Sequence, residues 1–211
     1  MADIKLKVCG MRNPQNIKDL IALQPDFVGF IFFPKSPRYV GLEWDVAVAK
    51  SIPSSIKKIG VFVNESVEQM LLLASKYQLD GIQLHGSETP EICQAIKDKN
   101  LLVLKAFSVD ESFDFKQLEK YEACCDYFLF DTKTPQHGGS GLKFDWSKLK
   151  EYSSAKPFFL SGGIMVDDVM DIKSLNLKSL YSADINSKFE IEPALKDIEM
   201  VERFVKELRR K

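Results

Sequence analysis

The sequence predicts an α/β fold, a single (β/α)8 TIM barrel over 1–211. Three observations carry that expectation. Short apolar runs alternate with amphipathic helical patterns along the whole chain, the mark of a parallel sheet. Most of the runs are apolar on both faces, as strands buried on both sides are. The first run ends Cys9-Gly10-Met11-Arg12, without the G-x-G-x-x-G fingerprint that an open doubly wound sheet usually shows at that turn. Eight units in 211 residues average about 26 residues each, a compact member of the barrel class.

The strand candidates, in order, are Ile4–Cys9, Phe27–Phe32, Lys58–Val63, Gly81–Leu84, Leu101–Ala106, Tyr127–Phe130, Pro157–Leu160 and Ser179–Ala183. Between them lie helix signals. Asn13-Pro14 supplies a cap and a proline just inside the first helix. Ser66–Lys76 carries Val67, Met70, Leu71 and Ala74 at helical spacing, and Thr89-Pro90 opens Glu91–Lys99. Asp167 and Asp168 in the first turn of Val166–Ser174 suit a helix dipole. A last helix is expected over Glu192–Arg210, its basic end matched to its C-terminus. No linker or second domain interrupts the pattern.

Composition narrows function. Hydrophobic residues make up 45% and charged residues 28%, ordinary for a soluble globular chain. A net charge of −1 gives no bulk attraction to nucleic acid or to an anionic membrane, so any anionic ligand must be held by local groups. The N-terminus lacks a signal-peptide h-region and no apolar run reaches spanning length. Cys9, Cys93, Cys124 and Cys125 show no C-x-x-C or metal spacing, and the adjacent pair is badly placed for a bridge. They read as reduced thiols of a cytoplasmic protein.

Reactive residues gather at strand ends, the face on which barrel enzymes keep their active sites. Cys9 ends the first strand; it is a packed thiol or, with a lowered pKa, a general base. Asp131 follows the apolar run Tyr127-Phe128-Leu129-Phe130, too far from the next helix start near Asp145 to cap it, and reads as a general acid or base. Gly162-Gly163 and the segment Asp184-Ile185-Asn186-Ser187 follow the seventh and eighth strands, where such barrels often cradle a phosphate. Arg38, in Ser36-Pro37-Arg38, is an exposed loop cation or a carboxylate clamp. His85 is a packing or hydrogen-bonding residue or else a catalyst, and His137 is a solvated residue. Of Lys5 and Lys7, which alternate with Leu6, one points into the barrel unless both only cover apolar surface.

Seven segments in order resemble phosphoribosylanthranilate isomerases. They are Lys7-Val8-Cys9-Gly10; Phe32-Phe33-Pro34-Lys35-Ser36-Pro37-Arg38; Gly60-Val61-Phe62-Val63-Asn64; Gln83-Leu84-His85-Gly86; Asp131 with Gly138-Gly139-Ser140-Gly141; Phe144-Asp145-Trp146; and Leu160-Ser161-Gly162-Gly163-Ile164. The resemblance implies an Amadori rearrangement of an aminoaldose, N-(5′-phosphoribosyl)anthranilate, to an aminoketose, with no cofactor and no metal. It implies Asp131 as acid and Cys9 as base. It also implies Arg38 against the anthranilate carboxylate, Asp184 on the sugar hydroxyls, and His85, Gly139 and Gly141 in the substrate site. Gly162, Gly163, Asn186 and Ser187 would hold the phosphate, and a lid at Thr132–Gly141 would close over the substrate. The partner is thus a small phosphorylated molecule, and the enzyme is a monomer or homodimer.

In one place the chain departs from the family. Where relatives carry Asp-x-Ser-Ser-Gly-Val-Glu, this chain has Asn186 and Lys188 in place of the first serine and the glycine. Lys188 would be costly if that glycine needs a positive φ. The competing readings are a sister aminoaldose isomerase, whose first-strand base is an aspartate, and a phosphate-binding barrel without catalysis, which needs neither Cys9 nor Asp131.

Overall fold

A computed structural model describes residues 4–41, 43–132 and 143–210. Eight parallel strands close into a barrel: β1 Lys5–Val8, β2 Phe27–Ile31, β3 Lys57–Phe62, β4 Gly81–Leu84, β5 Leu102–Val109, β6 Tyr127–Thr132, β7 Phe158–Leu160 and β8 Leu180–Ile185. Each pairs with the next, and β8 returns to β1 in the register Lys7↔Asp184. That closure excludes the open doubly wound sheet. All eight expected strands are present, with ends displaced by a few residues.

Packing follows the two-residue period of the strands. Phe27, Ile59, Leu104, Ala106, Leu129 and Phe159 form one buried cluster. Ile59 and Leu129 share strand parity with Val61 and Asp131, which line the cavity at the strands' C-terminal ends, so this cluster fills the barrel beneath that cavity. The other faces of the strands pack outward on the helices in a second, larger cluster.

The N-terminal ends of three strands share a brace. Asp26, Asp80 and Asp126 each stand one residue before an even-numbered strand and accept a hydrogen bond from the backbone of the preceding odd-numbered one. The donors are Leu6 N at 2.9 Å, Lys58 N at 2.9 Å and Val103 N at 2.8 Å. A carboxylate therefore satisfies an amide that the staggered sheet edge leaves open.

The helices are α1 Pro14–Ile21, α2 Val46–Lys50, α3 Val67–Tyr77, α4 Pro90–Lys97, α5 Val169–Ser174 and α6 Ile198–Arg209. Asn13, Ser66 and Asp197 cap α1, α3 and α6 through their side chains. The units after β5 and β6 hold 3₁₀ segments, Phe115–Tyr121 and Trp146–Glu151, and a further 3₁₀ turn, Val166–Asp168, leads into α5.

The last helix differs from expectation: it starts at Ile198, not at Glu192. Pro193 lacks an N–H and Ala194 lies at φ 70°, so the chain turns there. Glu190–Glu192 (β9) and Leu195–Lys196 (β10) pair antiparallel instead, and Asp197 starts the helix by accepting from Met200 N at 3.0 Å. This hairpin matters because it carries Lys196 back toward the barrel mouth.

Asp80→Ala should cost about 1–3 kcal/mol by stranding Lys58 N at the barrel's far end. Urea titration should show the lower midpoint while kcat/KM stays unchanged; an equal loss of both would mean the two ends of the barrel are not independent.

Candidate active site

The C-terminal ends of the strands enclose a cavity of about 670 Å³. Its walls include Cys9, Arg38, His85, Asp131, Gly162, Gly163, Asp184, Asn186 and Ser187. Residues drawn from seven units thus meet in one place. Gly139, Gly141, His137 and almost all of the expected lid lie outside the described residues.

Asp131 sits on β6 with little exposure. Its Oδ1 accepts from Thr132 N at 2.9 Å, and its Oδ2 lies 3.3 Å from His85 Nε2. On the other edge of that imidazole, Gln83 Nε2 stands 2.9 Å from Nδ1. With the amide so oriented, Gln83 donates to Nδ1 and the tautomer protonated at Nε2 donates to Asp131. His85 thus takes the hydrogen-bonding role among the expected readings and orients the carboxyl group. Gly162, at φ 93°, completes the wall, since a Cβ there would come within 2.8 Å of Asp131 Oδ1.

Cys9, just past the end of β1, is 5% exposed. Gly29 on β2 makes room for it, because a Cβ at that position would lie 2.8 Å from its Sγ. Burial pushes the Cys9 thiol up; Lys7 pulls it down, Asp184 pushes it up and Lys196 pulls it down, and burial prevails.

Two buried cations flank the thiol. Lys7 points inward, and its fully buried ammonium meets Asp184 Oδ2 at 2.7 Å. Burial works against that charge, but the Asp184 carboxylate and Cys9 outweigh it and hold the Lys7 ammonium above the usual lysine range. Asp184 Oδ1 is buried with no protein partner among the described residues, and Asp184 lines the cavity, an acceptor ready for a ligand hydroxyl. Lys196 comes from the hairpin and donates to Glu190 Oε1 at 2.6 Å and Asn186 Oδ1 at 2.8 Å. Burial lowers its pKa, and Glu190 recovers only part of that loss.

Arg38 is not an exposed loop cation. Its side chain is largely buried and grips Glu190 with two groups, Nε at 2.9 and 3.0 Å and Nη2 at 2.6 Å. Burial alone would raise Glu190; bonds from Arg38 and the charge of Lys196 bring it below the ordinary carboxylate value. Glu190 and Lys196 escaped the sequence reading, because Lys196 lay inside a segment expected to be helix and Glu190 gained its meaning only from its partners.

At Lys188 the substituted eighth loop keeps ordinary backbone geometry. Ser187–Phe189 forms a right-handed 3₁₀ turn, and Lys188 is not among the residues with positive φ. No glycine is needed there, so the expected backbone cost is absent. Gly162 and Gly163, at φ 93° and 66°, do use the left-handed region and turn the backbone at the cavity wall.

The likeness to known proteins runs the length of the chain. Residues 6–207 match the family model described as N-(5′-phosphoribosyl)anthranilate (PRA) isomerase. An N-(5′-phosphoribosyl)anthranilate isomerase of Parabacteroides distasonis is 43% identical over 204 residues, covering 96% of this chain and 92% of its own. A phosphoribosyl anthranilate isomerase solved in complex with reduced 1-(o-carboxyphenylamino)-1-deoxyribulose 5-phosphate superposes with a TM-score of 0.83 at 31% identity, covering 97% of this chain and 98% of that one. Monomers generated from the dimeric enzyme of Thermotoga maritima give 0.82 at 32% identity, with the same coverage.

Lys7→Ala should destabilise the fold by about 3–5 kcal/mol, because it leaves the Asp184 carboxylate buried without its partner. Adding Asp184→Leu should recover most of that stability in thermal melts while leaving the enzyme impaired. A double variant no more stable than the single one would count against the pair.

Proposed function

The chain belongs to the N-(5′-phosphoribosyl)anthranilate isomerase family, and from that premise we propose that Cys9 and Asp131 carry out its chemistry as base and acid. The enzyme converts N-(5′-phosphoribosyl)anthranilate to 1-(2-carboxyphenylamino)-1-deoxyribulose 5-phosphate in tryptophan biosynthesis. The observation that carries the residue assignment is that β1 and β6 bring the thiol and the carboxyl group into one cavity.

The Asp131 carboxyl, in its protonated form, gives its proton to the furanose ring oxygen. The C–O bond breaks and leaves an open-chain iminium between C1 and the anthranilate nitrogen. The Cys9 thiolate then takes the proton from C2, the electron pair moves into the C1–C2 bond, and the iminium nitrogen is neutralised. The resulting enol tautomerises to the ketone. Substrate and product are isomers; the proton taken by Cys9 and the one given by Asp131 are restored by exchange with solvent, so no external oxidant or reductant enters the balance.

The surrounding residues have matching tasks. His85 fixes the orientation of the acid, and the free oxygen of Asp184 accepts from a sugar hydroxyl. Backbone amides at Gly162, Gly163, Asn186 and Ser187 meet the phosphate, with Lys188 at the rim adding attraction. Glu190 holds Arg38 by Nε and Nη2, which leaves the Nη1 edge to meet the anthranilate carboxylate. Lys7 and Lys196 favour the thiolate that burial opposes, so the anionic base is most accessible while both ammonium groups stay charged.

Among the described residues no helix is long and apolar enough to cross a membrane. We place the enzyme in the cytoplasm with no nucleic-acid partner, and assign it as a monomer or homodimer, a question that sedimentation of the pure protein answers.

Cys9→Ala and Asp131→Asn should each lower kcat/KM by about 10²–10⁴-fold, the span that proton transfer supplies. Coupling turnover to indoleglycerol phosphate synthase measures it; full activity in either variant removes that residue from the reaction. Because burial raises the Cys9 thiol, its alkylation by iodoacetamide should keep accelerating, by about tenfold per unit of pH, above the pH at which a free cysteine levels off. Product should protect it. A plateau at the ordinary thiol pKa would argue against the buried, raised group.

A further inference from the structure

The three cysteines that the active site does not use converge on the outer side of the barrel. Cys93 lies on α4, and Cys124 and Cys125 lie in the turn that leads into β6. All three are buried, and their Sγ atoms lie within 4.8 Å of one another. None of them lines the catalytic cavity. We propose that Cys93, Cys124 and Cys125 form a three-thiolate site for a single thiophilic d10 metal cation, with copper(I) as the ion that fits it best.

Geometry supports one ion held by all three sulfurs. A soft cation bonds thiolate sulfur at about 2.3 Å, so three sulfurs around it in a plane stand about 4 Å apart. The observed triangle needs only a modest contraction to reach that spacing. Cys124 and Cys125 are neighbours in sequence and poorly placed to bridge each other, so all three donors remain together in the reduced protein.

Donor chemistry selects the ion. Thiolate sulfur favours copper(I) and zinc over hard cations. Structural zinc takes four ligands in a tetrahedron. The group contains no fourth histidine, cysteine or carboxylate among the described residues, and it is shielded from water. Copper(I) is content with three sulfurs, and a dry site protects it from oxidation.

A hydrogen bond helps fix the cluster: Cys124 Sγ donates to Tyr121 O at 3.4 Å. Ligation by thiolate displaces the thiol protons, so affinity should fall in acid.

The test is an anaerobic titration of the reduced full-length protein with copper(I), in competition with bicinchoninate. A parallel titration uses zinc(II) against a chromophoric chelator. Wild type and Cys9→Ser should each retain one copper(I) per chain. Cys93→Ser and Cys125→Ala should lose affinity by more than about 100-fold, beyond what removing a group that merely supports a ligand costs. Copper(I) should also raise the Tm of wild type and of Cys9→Ser, but not of Cys93→Ser; using two different variants guards against one that folds badly.

Equal copper retention in Cys93→Ser would overturn the site. So would loss confined to Cys9→Ser, which would place the ion on the catalytic thiol. Tighter retention of zinc than of copper would overturn the choice of ion. A Cys93–Cys124 or Cys93–Cys125 disulfide formed in air, in a protein that binds neither ion when reduced, would make the cluster a redox pair and end the metal proposal.

Discussion

The Lys7 ammonium is fully buried, and β1 closes on β8 where the Asp184 carboxylate meets it. A lone charge at that depth would cost several kcal/mol, and the pair is tolerable because a 2.7 Å hydrogen bond offsets much of the desolvation. The same pair sets the register of the closing strands, Lys7 opposite Asp184. It also holds one carboxylate oxygen of Asp184 at the cavity wall with nothing of the protein to bind. Lys196 repeats the logic a few residues away, its charge matched by Glu190, which in turn fixes Arg38. Asp184 and Arg38 thus line the catalytic cavity, each held by a buried partner behind it.

The two ends of the barrel do different work. At the N-terminal end, carboxylates of Asp26, Asp80 and Asp126 tie neighbouring strands through backbone amides. At the C-terminal end, polar groups are held by one another and left partly unsatisfied, as with Gln83 Oε1 and Asp184 Oδ1. Stability is concentrated where the structure can be fully satisfied, which lets the mouth carry groups that wait for a ligand.

Most of the architecture was legible in the chain because buried parallel strands are apolar on both faces, a pattern that survives without any knowledge of neighbours. The site residues at strand ends were legible for the same reason: once the strands are counted, Cys9, Asp131 and Asp184 fall at the mouth. What could not be read is pairing. Arg38 read as a loop cation or a carboxylate clamp, and nothing nearby in sequence announced its partner Glu190, 152 positions away. Lys196 looked like the first turn of a helix, because nothing local announces that Pro193 and Ala194 reverse the chain. Concern over Lys188 came from a residue type, whereas the backbone there turns right-handed and suits any side chain. The cysteine trio shows the same limit, since spacing along the chain does not announce that folding brings Cys93 beside Cys124 and Cys125.

Closure of β1 on β8 has a consequence for the order in which the protein is made. The Lys7 partner on β8 is 177 residues downstream, so a chain still emerging from the ribosome holds one unpaired β1 edge and an uncompensated lysine until β8 has been synthesised. Early segments can gather into helix-backed sheet, but the final ladder waits for the last strand, and contacts of such long range are slow to form. The catalytic cavity, whose walls come from both ends of the chain, cannot exist before that moment. Nascent chains are thus inactive until β8 has been made, and the free edge of the first strand is the segment that a chaperone has reason to cover.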